Sequence, residues 1–153
     1  MLMAFKKIII TSIGKIPAEY KALLLHYTNL IKTKINFRNL NGLTHLPIKE
    51  QIIKESRLLQ NTIGDSEFII ILDEKGINIT SYEFAKTLNL IEPFKAINFI
   101  IGGSYGLSES FKNMAHMKLS LSPMTLPHKL VKIIVLEQIY RAEDIIKGGK
   151  YHK

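Results

Sequence analysis

Three short runs of almost unbroken apolar residues constrain this chain most: Ile8-Ile9-Ile10, Phe68-Ile69-Ile70-Ile71-Leu72 and Ala96-Ile97-Asn98-Phe99-Ile100-Ile101. A strand wet on one face alternates apolar and polar residues, whereas a strand apolar at nearly every position needs cover on both faces. Buried strands are therefore predicted from Phe5 to Thr11, from Glu67 to Leu72 and from Ala96 to Ile101, the second ending in a loop at Asp73-Glu74-Lys75-Gly76. Between them the period changes to that of helices. Tyr20, Leu23, Leu24, Tyr27 and Ile31 recur at steps of three and four, and Pro47 opens a helix with Ile48, Ile52 and Leu59 as its stripe and Glu50 and Lys54 at i,i+4. Thr80 and Glu83 fit a capping box for a short helix through Phe84, Ala85 and Leu88 that stops before Pro93, while 34–40 alternates with period two as a half-exposed strand. Strands and helices in alternation predict an α/β fold, a mostly parallel sheet with helices on both faces. No repeat or linker divides the chain, so one domain spanning residues 1–153 is expected.

Composition removes several chemistries. The chain has no cysteine, which excludes disulfides, thiolate zinc and iron–sulfur sites and a cysteine nucleophile. Its five histidines, His26, His45, His116, His128 and His152, lack metal-ligand spacing, so no metal is expected. No apolar stretch approaches the ~20 residues of a membrane span. The opening Met1-Leu2-Met3-Ala4-Phe5-Lys6-Lys7 has its charges after its apolar residues, the reverse of a secretory signal, and a cytoplasmic chain is expected. A formal charge of +8 favours polyanionic partners, and residues 1–40 carry Lys6, Lys7, Lys15, Lys21, Lys32, Lys34 and Arg38 against Glu19 alone, a candidate RNA-facing surface.

Ligands of open parallel sheets bind at the carboxyl ends of the strands. The loops after Leu72 and after Ile101 should therefore adjoin one pocket. The second loop, Gly102-Gly103-Ser104-Tyr105-Gly106, is not a dinucleotide fingerprint, because Ile101 stands where G-x-G-x-x-G needs glycine, and it lacks the Lys-Ser/Thr of a P-loop. Taken alone it reads equally as a ligand cradle or a tight turn. Asp73 has the same two readings, orienting a ligand hydroxyl or capping a turn, and Glu143-Asp144 reads as a solvated face. The helix predicted over 129–147 is apolar on two sides, with Leu130, Ile134 and Tyr140 on one and Val131, Val135 and Ala142 on another. It needs the sheet and a second cover, for which a two-fold copy of itself is the candidate, and Gly148-Gly149 caps its end.

Four motifs in register carry a resemblance: Ile101-Gly102-Gly103-Ser104-Tyr105-Gly106-Leu107-Ser108, Leu119-Ser120-Leu121-Ser122-Pro123-Met124-Thr125-Leu126-Pro127-His128, Glu137-Gln138-Ile139-Tyr140-Arg141-Ala142 and Tyr151-His152-Lys153. Together they resemble the ribosomal RNA large subunit methyltransferase H family of small SPOUT-class enzymes, over the whole length. The resemblance implies a C-terminal trefoil knot, with a cofactor-binding region at about 96–150. It implies S-adenosyl-L-methionine as donor and N3 of a pseudouridine in 23S rRNA of the assembled ribosome as acceptor. Carried over by motif, the cofactor site comprises Leu72, Gly102, Gly103, Leu121, Ser122, Pro123, Met124, Thr125, Leu126 and Pro127. Ser104 departs from the family's frequent proline. Arg141, Tyr151 and His152 of one subunit are expected to complete the other's pocket in a homodimer joined through the last helix, with Arg141, Lys147 and Lys150 holding RNA phosphates. His152 is the candidate to take the N3 proton, with water as the alternative. A non-catalytic RNA-binding homologue and a SPOUT enzyme acting on transfer RNA are the competing readings.

Overall fold

A computed structural model describes residues 7–91 and 95–153. Phe5, Lys6 and Pro93, which figured in the expectations above, lie outside the described residues. Five strands, β1 (Lys7–Ile13), β2 (Lys34–Leu40), β3 (Glu67–Asn78), β4 (Ala96–Ile101) and β5 (Met117–Ser120), form one sheet in the order β2-β1-β4-β3-β5, with every pairing parallel. Helices α1 (Lys21–Leu30), α3 (Ser81–Leu90) and α5 (His128–Lys147) cover one face, and α2 (Ile48–Thr62) and α4 (Glu109–Lys112) the other. The apolar runs lie where both faces are covered: Ile8, Ile10, Ile70, Ile97 and Phe99 join the first layer, and Ile69, Ile71 and Ile100 the second. The α/β architecture expected from the sequence is the one observed.

Buried polar residues interrupt that core in an ordered way. Thr11 Oγ1 donates to Asn98 Oδ1 (2.9 Å), Asn98 Nδ2 to Glu67 Oε2 (2.7 Å), and Arg38 closes the chain with a 2.6 Å ion pair to Glu67. Arg38 is thus committed inside the fold and leaves the set of free cations proposed for RNA.

Three local expectations change. β3 does not stop at Leu72: its register with β5 slips between Leu72 and Ile77, both opposite Leu119, so Asp73-Glu74-Lys75-Gly76 bulges out of a strand that resumes beside β5. Gly76 is glycine because a Cβ there would lie 2.7 Å from the Lys118 backbone. α2 is rotated from its expected stripe: Ile48 is 51% exposed, and Gln51, Glu55 and Ser56 are buried beside Leu59. Buried polar groups need partners: Gln51 donates to Glu55 within the helix, while Glu55 and Ser56 accept from Leu43 N and Ser108 N in neighbouring loops. Glu143 is not solvated. Its carboxylate is buried and accepts from Lys32 N (2.9 Å), Thr33 N (2.8 Å) and Thr33 Oγ1 (2.6 Å).

Other expectations hold. Thr80 and Glu83 form the reciprocal capping box, and Glu50 pairs with Lys54 at 2.7 Å. Gly148 adopts a left-handed conformation (φ 69°), with Gly149 N donating to Asp144 O and Gly148 N to Ile145 O, the Schellman closure of α5.

Candidate active site

At the carboxyl ends of β3 and β4 lies a cavity of about 700 Å³. Its floor is the end of β4 with Gly102 and Gly103. One wall is Leu72 and the Asp73–Lys75 bulge, the other the segment from β5 into α5. Of the residues assigned by resemblance, Leu72, Gly102, Gly103, Leu121, Ser122, Met124, Thr125, Leu126 and Pro127 line it, while Pro123 is exposed and does not.

Local hydrogen bonding explains the shape. Gly106 N donates to Gly103 O (3.1 Å), closing a tight turn whose Gly106 has φ 80°, and Ser108 Oγ then caps α4 by accepting from Phe111 N. A Cβ on Gly102 would meet Leu107 Cγ at 2.9 Å, and one on Gly103 would meet Glu55 Oε2 at 2.8 Å. Across the cavity, Ser120 Oγ donates to Ser122 O (2.8 Å) and Ser122 Oγ accepts from Met124 N (2.9 Å), which folds 120–124 into a compact bend before Pro127 starts α5. Thr125 Oγ1 reaches Glu74 Oε2 (3.0 Å), linking that bend to the bulge.

Most polar groups of the lining are occupied by one another. Asp73 Oδ1 accepts from Lys75 N (3.1 Å), and Oδ2 pairs with Lys112 Nζ (3.1 Å). Asp73 therefore caps its turn and also anchors α4. Burial pulls its carboxyl up, but the Lys75 amide and Lys112 outweigh this and hold it below the usual carboxylate range. His128 is held below the usual imidazole value, chiefly by burial and then by Lys129, so the neutral ring faces the cavity at neutral pH.

Arg141, Tyr151 and His152 form a second constellation. Arg141 Nε and Nη2 donate to Glu137 Oε1 (2.9 and 2.6 Å), and Nη1 lies 3.0 Å from His152 Nδ1. The Tyr151 hydroxyl also donates to Glu137 (3.0 Å), and the Arg141 guanidinium lies over the Tyr151 ring at 4.7 Å. Asp144 Oδ2 accepts from Tyr151 N and His152 N, each at 3.0 Å, and the His152 ring meets Tyr82 edge-on. Burial and Glu137 raise the Tyr151 phenol, and the hydrogen bond to Glu137 raises Arg141. The tyrosine stays protonated and the arginine charged.

The three catalytic candidates thus meet one another but not the cavity formed by the same chain. His128 and Val131 line the cavity, and Arg141 lies ten residues beyond Val131 on α5, about 15 Å along a helix rising 1.5 Å per residue. Sequence reasoning passed over Lys112, Glu55, Glu137 and Asp144 as site residues. Only Glu137 left a legible sign, its i,i+4 spacing from Arg141. No group of three or more histidines and carboxylates suited to a metal occurs among the described residues, and no described helix is long and apolar enough to cross a membrane.

A family profile described as "Predicted SPOUT methyltransferase" matches residues 6–152. The chain is similar to the ribosomal RNA large subunit methyltransferase H of Malacoplasma penetrans, 38% identical over 99% of this chain and 98% of the relative. It is likewise similar to that of Carboxydothermus hydrogenoformans, 40% identical over 96% and 99%. The corresponding protein of Clostridium botulinum is 40% identical over 94% and 98%. With a parallel α/β sheet, a glycine-floored cavity at its strand ends and relatives aligned over nearly the full length, the chain belongs to the SPOUT methyltransferase family.

Proposed function

We propose that this chain transfers a methyl group from S-adenosyl-L-methionine, held in the β3–β4 cavity, to N3 of a pseudouridine in 23S rRNA of the assembled large ribosomal subunit. We further propose that it acts as one knotted domain dimerised through α5. The observation that carries this reading is the separation along α5 of two incomplete half-sites. One is a cavity of backbone and apolar groups, and the other is a polar side-chain cluster about 15 Å away.

The cavity suits an adenosyl group. Its volume lies within the usual 300–1,000 Å³ of ligand sites, and bare backbone at Gly102 and Gly103 with Leu72, Leu121 and Leu126 offers amides, carbonyls and apolar faces. The helices packed against α5 carry exposed apolar side chains, Leu23 and Leu25 on α1 (41% and 60% exposed) and Tyr82 and Leu90 on α3 (61% and 74%), available to a second copy. α1 and α3 already cover the flanks of α5, so the copy supplies only what they leave half-buried, Leu130, Ile134 and Tyr140.

The donor supplies an already activated methyl group, and alignment of acceptor nitrogen, methyl and sulfur is what remains for the protein. Arginine only donates, so His152 Nδ1 must accept from Arg141, and the neutral ring then carries its proton on Nε2. With Nδ1 engaged and Nε2 protonated the ring has no free acceptor, so the N3 proton goes to water, the alternative to His152, and His152 donates to a ring oxygen beside N3. Arg141, committed to Glu137, positions His152 in place of the phosphate role expected of it, while exposed Lys147 and Lys150 meet phosphates.

Mixing two inactive variants tests this reading. Arg141→Ala lacks the cluster, and Gly102→Val drives its side chain into Leu107 and distorts the cavity lining. Equal amounts, refolded together, should methylate ribosomes at about a quarter of the wild-type rate, because half the dimers are mixed and each holds one intact composite site. A mixture no more active than its components would refute the shared site, and wild-type protein that binds the cofactor without methylating ribosomes would refute the substrate.

A further inference from the structure

Glu55 is 1% exposed, more deeply buried than any other carboxylate among the described residues, and it lies immediately behind the floor of the cavity. Its Oε1 accepts both of its hydrogen bonds, from Leu43 N (2.8 Å) and Gln51 Nε2 (2.9 Å). That leaves Oε2 against Gly103, where a Cβ would approach it to 2.8 Å. No salt bridge reaches Glu55 among the described residues, in contrast to Glu67, Asp73 and Glu137, each paired with a cation. The adjacent Ser56 accepts from Ser108 N (2.9 Å), so two successive residues of α2 hold the glycine loop from behind.

A buried carboxylate without a counter-charge is costly, and a cationic ligand nearby would offset part of that cost. The field reaches the cavity: at His128, on the wall, Glu55 pushes the imidazole upward against the larger effects of burial and Lys129. The lining's own charges largely cancel, with Asp73 on Lys112 and Glu74 beside Lys75, so Glu55 sets the sign at the floor. The cofactor of the preceding section is a sulfonium cation that leaves as a neutral thioether. Gly103 is thus glycine for the carboxylate behind it as well as for the ligand in front.

We propose that Glu55 is a specificity-determining residue whose charge, delivered through the bare Gly103 backbone, makes the cavity select the cationic methyl donor over its neutral product. The inference rests on the cofactor reading above. Titration calorimetry of wild type and Glu55→Gln with S-adenosylmethionine, S-adenosylhomocysteine and sinefungin, which carries an amine in place of the methylsulfonium, separates the two claims. Glu55→Gln should weaken both cationic ligands about tenfold and change S-adenosylhomocysteine by less than about twofold. Equal weakening of all three would reduce Glu55 to a mould for the loop and overturn the proposal. If the variant does not fold, wild type decides alone: sinefungin must bind more tightly than S-adenosylhomocysteine, and equal or weaker binding overturns the proposal. Failure of wild type to bind any of the three would instead refute the cofactor assignment.

Discussion

The cavity and the Arg141 cluster are built by opposite means. The cavity owes its shape to atoms that are missing, with Gly102 set against Leu107 and Gly103 against Glu55 in its floor, and Gly76 against the Lys118 backbone just beyond the bulge that forms its wall. The cluster owes its shape to side chains, with Glu137 receiving Arg141 and Tyr151 while Asp144 receives the amides of Tyr151 and His152. A site made of backbone tolerates truncation and fails on addition. A site made of long side chains does the reverse. Binding and transfer should therefore be separable by the kind of substitution as well as by its place.

Arg141→Ala gives the largest effect: methylation of ribosomes falls by about 100-fold or more, while cofactor affinity, read by calorimetry, stays within about twofold. A parallel loss of affinity would erase the distinction. Gly103→Ala follows, lowering cofactor affinity by about tenfold because its methyl must displace Glu55 or Ile13, whose Cγ2 would lie at 3.3 Å; unchanged affinity would show that the floor yields.

The smallest effect concerns Lys132, on the same helix but in neither half-site. It is 5% exposed, donates to Asn39 Oδ1 at 2.8 Å, and burial holds its ammonium below the usual lysine range. The unfolded chain therefore keeps this proton to higher pH than the folded one, and stability rises with pH from the lowered value to the ordinary one. Lys132→Met should stabilise the fold by about 1 kcal/mol at neutral pH, a gain that shrinks as pH approaches the ordinary lysine value. Melting temperatures across that range check the sign.

The frame was legible wherever a short-range period governs it. Continuous runs at 8–10, 68–72 and 96–101 became central strands, the Thr80–Glu83 spacing became a capping box, and Gly148 became a cap. What escaped depends on partners distant in sequence. Nothing near Glu55 announces Leu43 or Gly103, and nothing near Glu143 announces Thr33, 110 residues away. The one-turn α4 is too short to show a period, and the β3 bulge follows from packing against β5. The residues proposed to hold the cofactor came from matched motifs, because glycines and serines carry no chemistry of their own to read.

The buried Glu143 bears on the order in which the molecule is assembled. The turn between α1 and β2 presents two amides and a hydroxyl whose common acceptor is this one carboxylate, so it stays unfinished until α5 docks. Contacts of such long sequence separation form late, because the loop they close must first lose its freedom. Docking of α5 is then the step that completes this turn, and a chain interrupted before residue 143 leaves its donors without their carboxylate.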